Sequence, residues 1–147
     1  MSQDERSTLL ALLRFQRASF VRKVTGVSED AARVVLVASG TTLLWLTKHL
    51  ARSEAIWVLE RFAGQGIEPV PTVGPGDTLA GAIIIYRNTW AMVDAVIEDA
   101  SLDDLYSADD EAAVNLRWVL MHLLEETARH AGHADILREL IDRSTGR

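Results

Sequence analysis

Residues 114–142 read VNLRWVLMHLLEETARHAGHADILRELID, and the spacing predicts one long helix from near Asn115 to about Ile141. Asn115 is a good N-cap, because its side-chain oxygen can accept from an orphan amide of the first turn. At about 100° per residue, with Glu126 as the reference, His122 falls near about −40°, His130 near about +40° and His133 near about −20°. Val119 and Leu137 fall near about +20°, so the same stripe turns apolar at both ends. The ionisable residues therefore interrupt a face built for burial. A carboxylate in that position is costly unless it is paired or holds a metal ion. A helix of this kind requires apolar partners of matching length, and the rest of the chain supplies them.

Three further long segments carry helical periodicity. The first runs from about Asp4 to Val24, with Leu9, Leu10, Leu13, Phe20 and Val21 at spacings of three and four. A short helical turn is expected at SEDAARVV, with Ser28 as its cap, and no strand is expected because an extended ARVVLVAS would have nothing to pair with. The second long helix opens after ASGTT and continues to about Ala63, where GQG stops it. IEPVPTVGPGD holds all three prolines and reads as a loop. The third helix, capped by Asp77 or Thr78, runs to about Asp99, with Leu79, Ile83, Tyr86, Trp90, Val93 and Ile97 on its apolar side. An acidic linker, DASLDDLYSADDEAA, precedes the last helix. Four amphipathic helices make an all-α four-helix bundle in a single domain over residues 1–147. The loops on either side of the third helix are longer than a tight hairpin needs, so a crossover is expected and simple up-down-up-down order is not assured.

Composition narrows the function. The chain has 147 residues, 48% hydrophobic, with a formal net charge of −6. Its mean hydropathy is +0.08 and its pI is near 5.1. These are globular values, and the acidic balance argues against nucleic acid as partner, since phosphate binding needs a basic face. With no cysteine, disulfides, thiolate ligands and a cysteine nucleophile are all excluded. Any sulfur chemistry must use an external thiol. The charged opening MSQDERSTLL is unlike a signal peptide, and LAGAIIIY is too short to span a bilayer, so a cytoplasmic protein without membrane contact is the expectation.

The fourth histidine repeats the anomaly. His49 shares the face of Trp45, Leu46 and Ile56 on the second helix, so it too points inward from an apolar stripe. Glu126 and His130, four apart, can reach one ion from adjacent turns, and His49 can complete the set from the facing helix. Two imidazoles and one carboxylate with open coordination positions suit a catalytic zinc or a non-haem iron. Taken singly, an inward histidine is more often a hydrogen-bonded core residue, and an i,i+4 Glu–His pair more often a surface pair. All four histidines and one glutamate nevertheless map to inward stripes, which brings the metal reading level with the bland one. HLLEETARH is not the HExxH of zinc proteases, because its glutamate lies on the ligand face itself.

TTLLWLTKHLARSE and VNLRWVLMHLLEETARHAGHADILRELID together resemble the DinB-like superfamily, in particular its actinobacterial DUF664 branch. DERSTLLALLRFQRASFVRKV and GPGDTLAGAIIIYRNTW extend the likeness over nearly the whole chain. The resemblance implies a four-helix bundle of up-down-down-up order with a divalent metal in its core. It places His49, Glu126 and His130 at the ligand positions, with zinc the first choice of metal. Many relatives have histidine where this chain has Glu126, but the mycothiol-dependent maleylpyruvate isomerases carry a similar His–Glu–His set. His122 and His133 match positions flanking the ligands, which implies supporting or substrate-pocket roles.

Characterised relatives are mostly thiol transferases or isomerases using mycothiol, bacillithiol or glutathione. The resemblance therefore implies a metal-dependent S-transferase joining a small-molecule thiol to an electrophile, with the open metal position taking water at rest and thiolate in turnover. Arg129 and Arg138 flank the stripe and are candidates to hold an acidic cofactor or substrate, or are simply solvated surface residues. Two other readings stand beside this one: a non-catalytic metal-binding homodimer that binds or senses a small molecule, and a hydrolase using metal-bound water with His122 or His133 as base.

Overall fold

The computed structural model of the protein describes residues 4–68, 72–106 and 113–145. Five α-helices form it: α1 (Glu5–Val24), α2 (Glu29–Ala32), α3 (Leu43–Glu54), α4 (Leu79–Glu98) and α5 (Leu116–Asp142). Each begins at a side-chain cap of the same design. Asp4, Ser28, Thr42, Thr78 and Asn115 accept from the amides of Ser7, Ala31, Trp45, Gly81 and Trp118, three residues on. Thr78, not Asp77, caps α4. Asp77 instead accepts from the Gly74 amide and pairs with Lys48 of α3. Among the described residues there is no strand; the only extended pairing is an isolated antiparallel bridge between Leu105 and Asn115. That bridge brings together the two ends of the acidic linker, whose residues 107–112 lie outside the described residues. Residues 69–71 of the proline-rich loop lie outside them too.

The second long helix differs from expectation in one respect. After Glu54 it changes pitch and continues as a π-helix over Ala55–Phe62, with the Ala63 amide donating to the Val58 carbonyl five residues back. Gly64, at φ +66°, then ends it. π-Helical stretches are rare and tend to accompany functional sites.

Contacts between helix ends set the packing. Arg117 of α5 pairs with Glu5 of α1, and Arg6 of α1 donates to the carbonyls of Ile97 and Ala100 at the end of α4. At the far end Lys23 of α1 pairs with Asp135 of α5, while Glu29 of α2 accepts from the Leu79 and Ala80 amides that open α4. Arg33 holds the loop ahead of α4 through the carbonyls of Gly74 and Asp77. Among the described residues no helix is long and apolar enough to cross a membrane.

Inside, a polar layer separates two apolar clusters. One contains Phe20, Leu46, Leu50, Tyr86 and Ala134, and the other Leu13, Val58, Val93, Leu116 and Leu123. On α1 the break falls at Arg17, on α3 at Glu54 and on α5 at Thr127, all of them buried. Arg17 grips Glu54 with two nitrogens, donates a third bond to Asp94 of α4 at 2.8 Å and lies over the Trp90 ring. Burial alone would weaken the Arg17 charge; Glu54 and Asp94 more than offset it and raise the guanidinium above its ordinary value. Burial pushes the Glu54 carboxyl up, and Arg17 pulls against that rise.

Candidate metal centre

The α3 cap at Thr42 fixes the phase of that helix, and Asn115 fixes the phase of α5. Those two phases bring His49, Glu126 and His130 together. One carboxylate oxygen, Oε2 of Glu126, lies 3.3 Å from Nε2 of His49 and 3.4 Å from Nε2 of His130. One donor atom from each of the three residues lies within 4.8 Å of the others. Tetrahedral coordination with bonds of about 2.0–2.2 Å puts neighbouring ligand atoms roughly 3.3–3.6 Å apart. The two measured separations match that spacing, so the donor set fits a single divalent ion.

Protonation favours the same reading. The Nδ1 atoms of His130 and His133 stand 3.1 Å apart, so one of them donates to the other. When His130 is the donor, its Nε2 lone pair faces the Glu126 carboxylate, an arrangement suited to a shared cation; when His133 is the donor, the His130 Nε2–H points at Glu126 instead. Burial opposes the Glu126 charge, but the His49 hydrogen bond and the nearby charges of His130, His49 and His122 hold its carboxyl below the ordinary value of 4.5. Burial, and then the neighbouring His49, lowers His130 below 6.5 despite the pull of Glu126. A carboxylate beside a neutral imidazole is the protonation state a metal ion needs.

The site is reachable from solvent. The side chains of His49, Glu126 and His130 retain 31%, 22% and 12% of their exposure, enough for an external group to approach. Trp45 stacks on His49, with ring centroids 4.7 Å apart and planes 9° from parallel. The His49 and His130 rings meet edge to face. These ring contacts restrict both imidazoles to one orientation.

The other sequence candidates fall elsewhere. His122 is not in the triad; it stacks on Trp118 and meets Trp57 edge-on, in an aromatic group that Arg61 covers from above the Trp57 ring. His133 meets the triad at His130, with ring centroids 5.2 Å apart. Arg129 is exposed and paired with Glu125. Arg138 is committed to Asp142 and to the Lys23 and Thr25 carbonyls that end α1. Both arginines thus have local partners in place of the small-molecule anion considered from the sequence. Trp45 was legible on the His49 face, but its stacking needed the structure.

A helical fold with a His–Glu–His cluster between two helices defines the class: a DinB-like protein with a candidate metal centre. The chain belongs to the mycothiol-S-transferase family, whose family model matches residues 8–143. Its fold is also that of a conserved protein from Enterococcus faecalis, with a TM-score of 0.72 and 14% identity over 95% of this chain and 98% of that one. No protein of curated function matches the chain by sequence.

Proposed function

We propose that the protein is a metal-dependent thiol S-transferase that joins a mycothiol-type thiol to a small electrophile. Residues 1–147 form one domain, a bundle of up-down-down-up order. The pairing of Glu5 with Arg117 and of Lys23 with Asp135 supports that order, since it runs α1 and α5 in the same direction. The observation that carries the function is the convergence of His49, Glu126 and His130 on one point, in a member of this family that has no thiol of its own. A divalent ion at that point, with zinc the first choice from the family resemblance, would supply Lewis acidity that lowers the pKa of an incoming thiol. Two imidazoles and one carboxylate would hold the ion and leave room for a fourth ligand. Trp45 and His133 fix the two imidazole planes.

With a chlorinated dinitrobenzene as electrophile, a C–S bond forms at the ring carbon, the C–Cl bond breaks, chloride leaves and the thiol proton passes to solvent. Zinc-loaded protein is expected to accelerate this reaction with at least one of mycothiol, bacillithiol and glutathione, and chelated protein is not. If no thiol reacts faster than its uncatalysed rate with fully loaded protein, the transferase reading fails.

Metal binding should also weaken in acid. The His130 pKa is lowered on folding, so between 6.5 and its folded value the unfolded chain holds more protons and stability falls as pH falls. Glu126 acts in the same direction lower down: its contribution is present above 4.5 and is lost as pH falls through its depressed folded value. Protons compete with the ion for imidazole in the upper range, near about pH 6.5. Thermal melts with and without chelator are expected to differ clearly at pH 8 and little at pH 5.5. An equal chelator effect at both would remove histidine from the ligand set.

A further inference from the structure

Next to the triad, between the segment leading into α3 and the C-terminal half of α5, lies a recess of about 210 Å³. Val37, Ser39, Thr41, His133, Ile136 and Leu137 line it. We propose that this recess holds the body of the electrophile, and that the electrophile is uncharged, apolar and about the size of one substituted aromatic ring. The proposal rests on the transferase reading and names the substrate class for that site.

Three observations carry it. The first is position: His133 is at once a wall of the recess and the residue whose Nδ1 meets Nδ1 of His130 at 3.1 Å, so the recess is one side chain away from the triad. The second is chemistry. Among the described residues no lysine, arginine, aspartate or glutamate lines the recess, and the Nδ1 of its one imidazole, His133, is turned toward His130, so no permanently charged side chain is there to compensate a charged ligand. Its two hydroxyls, Ser39 Oγ and Thr41 Oγ1, bond to each other at 2.9 Å, and Ser39 Oγ also accepts from the Thr41 amide. Burying an unpartnered hydroxyl is unfavourable, because its bonds to water are lost without replacement. A sugar-bearing thiol has many hydroxyls and would find few partners here, so the recess suits the other reactant. The third is size and exposure. An apolar cavity of about 150 Å³ holds benzene, so this one has room for a ring with a small substituent. Ile136, on its wall, is left 58% exposed, apolar surface that a ligand of this kind would cover.

The test is a titration of zinc-loaded protein with 4-nitrobenzyl alcohol, a neutral aromatic unreactive toward thiols, followed by amide chemical shifts. Saturable shifts are expected at residues 37–41 and 133–137, and 4-nitrobenzoate, of the same size but charged, is expected to produce none there. Ile136→Glu should weaken binding of the alcohol at least tenfold, and Ile136→Met should leave it unchanged. Melting temperatures and zinc content would confirm that both variants are folded and loaded. Shifts that fall elsewhere, or equal binding of the benzoate, would overturn the proposal. The two readings separate cleanly. If the alcohol binds as expected but no thiol is transferred, the recess stands and the transferase falls. If transfer proceeds and Ile136→Glu leaves KM for a neutral aromatic electrophile unchanged, the transferase stands and the recess falls.

Discussion

Replacing His130 by alanine is expected to lower zinc affinity by more than about 100-fold and to return thiol transfer to its uncatalysed rate. Side chains that merely orient a metal ligand typically contribute about 10–100-fold in affinity, so loss of a ligand itself should exceed that range. The geometry makes His130 the most informative position, because its two ring nitrogens are both used, Nε2 toward Glu126 and Nδ1 toward His133. Removing it would take away one of the three proposed ligands and also free the His133 ring. His133→Ala provides the internal scale: it should cost affinity within the about 10–100-fold range without abolishing binding. Isothermal titration with zinc, together with the chloride-release assay, measures both quantities. A His130→Ala protein that binds zinc as tightly as the parent would show that the triad is not the metal site.

The second large effect lies away from the triad. Arg17→Ala is expected to destabilise the fold by about 3–5 kcal/mol, because it leaves the Glu54 carboxyl buried without its counter-charge. That is a large part of the about 5–15 kcal/mol that holds a domain of this kind together. Burial would then raise the Glu54 carboxyl with Arg17 no longer pulling against it. Its folded pKa would stand well above the unfolded one, so the variant should gain stability as pH falls, and its deficit should shrink between pH 7 and pH 5. Arg17→Met combined with Glu54→Leu should recover most of the loss, since replacing both partners by apolar groups is often close to neutral. Urea unfolding of the three proteins at both pH values would check this. A single variant that loses less than about 1 kcal/mol would mean that water already compensates the charge.

Much of the fold was legible, and for a definite reason. Helix starts are encoded by short polar side chains, and all four long helices begin within a residue or so of the start read from the chain. Helical periodicity also placed Leu13, Phe20, Tyr86, Val93 and Val119 on inward stripes, and all five are buried. Two features escaped. The π-helical pitch over Ala55–Phe62 depends on how α3 packs against its neighbours, and neither Gly nor Pro within it marks the change. The Arg17–Glu54–Asp94 group was present in the pattern, since Arg17 stands four residues after Leu13 and three before Phe20 on the same stripe. An arginine on an apolar stripe usually extends its long side chain out to water, and only the structure shows this one buried.

At the candidate site, the sequence put three residues on facing stripes, and their donor atoms lie within 4.8 Å of one another, but it was silent on what surrounds them. Stacking of Trp45 on His49, the contact between His130 and His133, and the recess beyond depend on side-chain positions that helical phase alone does not specify. His122 shows the limit most clearly: its angle places it beside Glu126, yet the nearby rings of Trp57 and Trp118 capture it.

The Arg17 layer also acts as a register lock. A helix that slides along its neighbour by one residue moves about 1.5 Å, and by one turn about 5.4 Å. Either slip of α1 or α3 would drive the buried guanidinium or the Glu54 carboxylate into the leucine-rich layers above and below, a penalty that rises abruptly with displacement. Sliding is thus confined to a single notch, set by three side chains that never touch the triad. His49 inherits its height on α3 from that notch. The histidines and the glutamate can therefore remain open to solvent and free to exchange a ligand, while the mechanical tolerance of their spacing is maintained from the far side of the helix that carries His49.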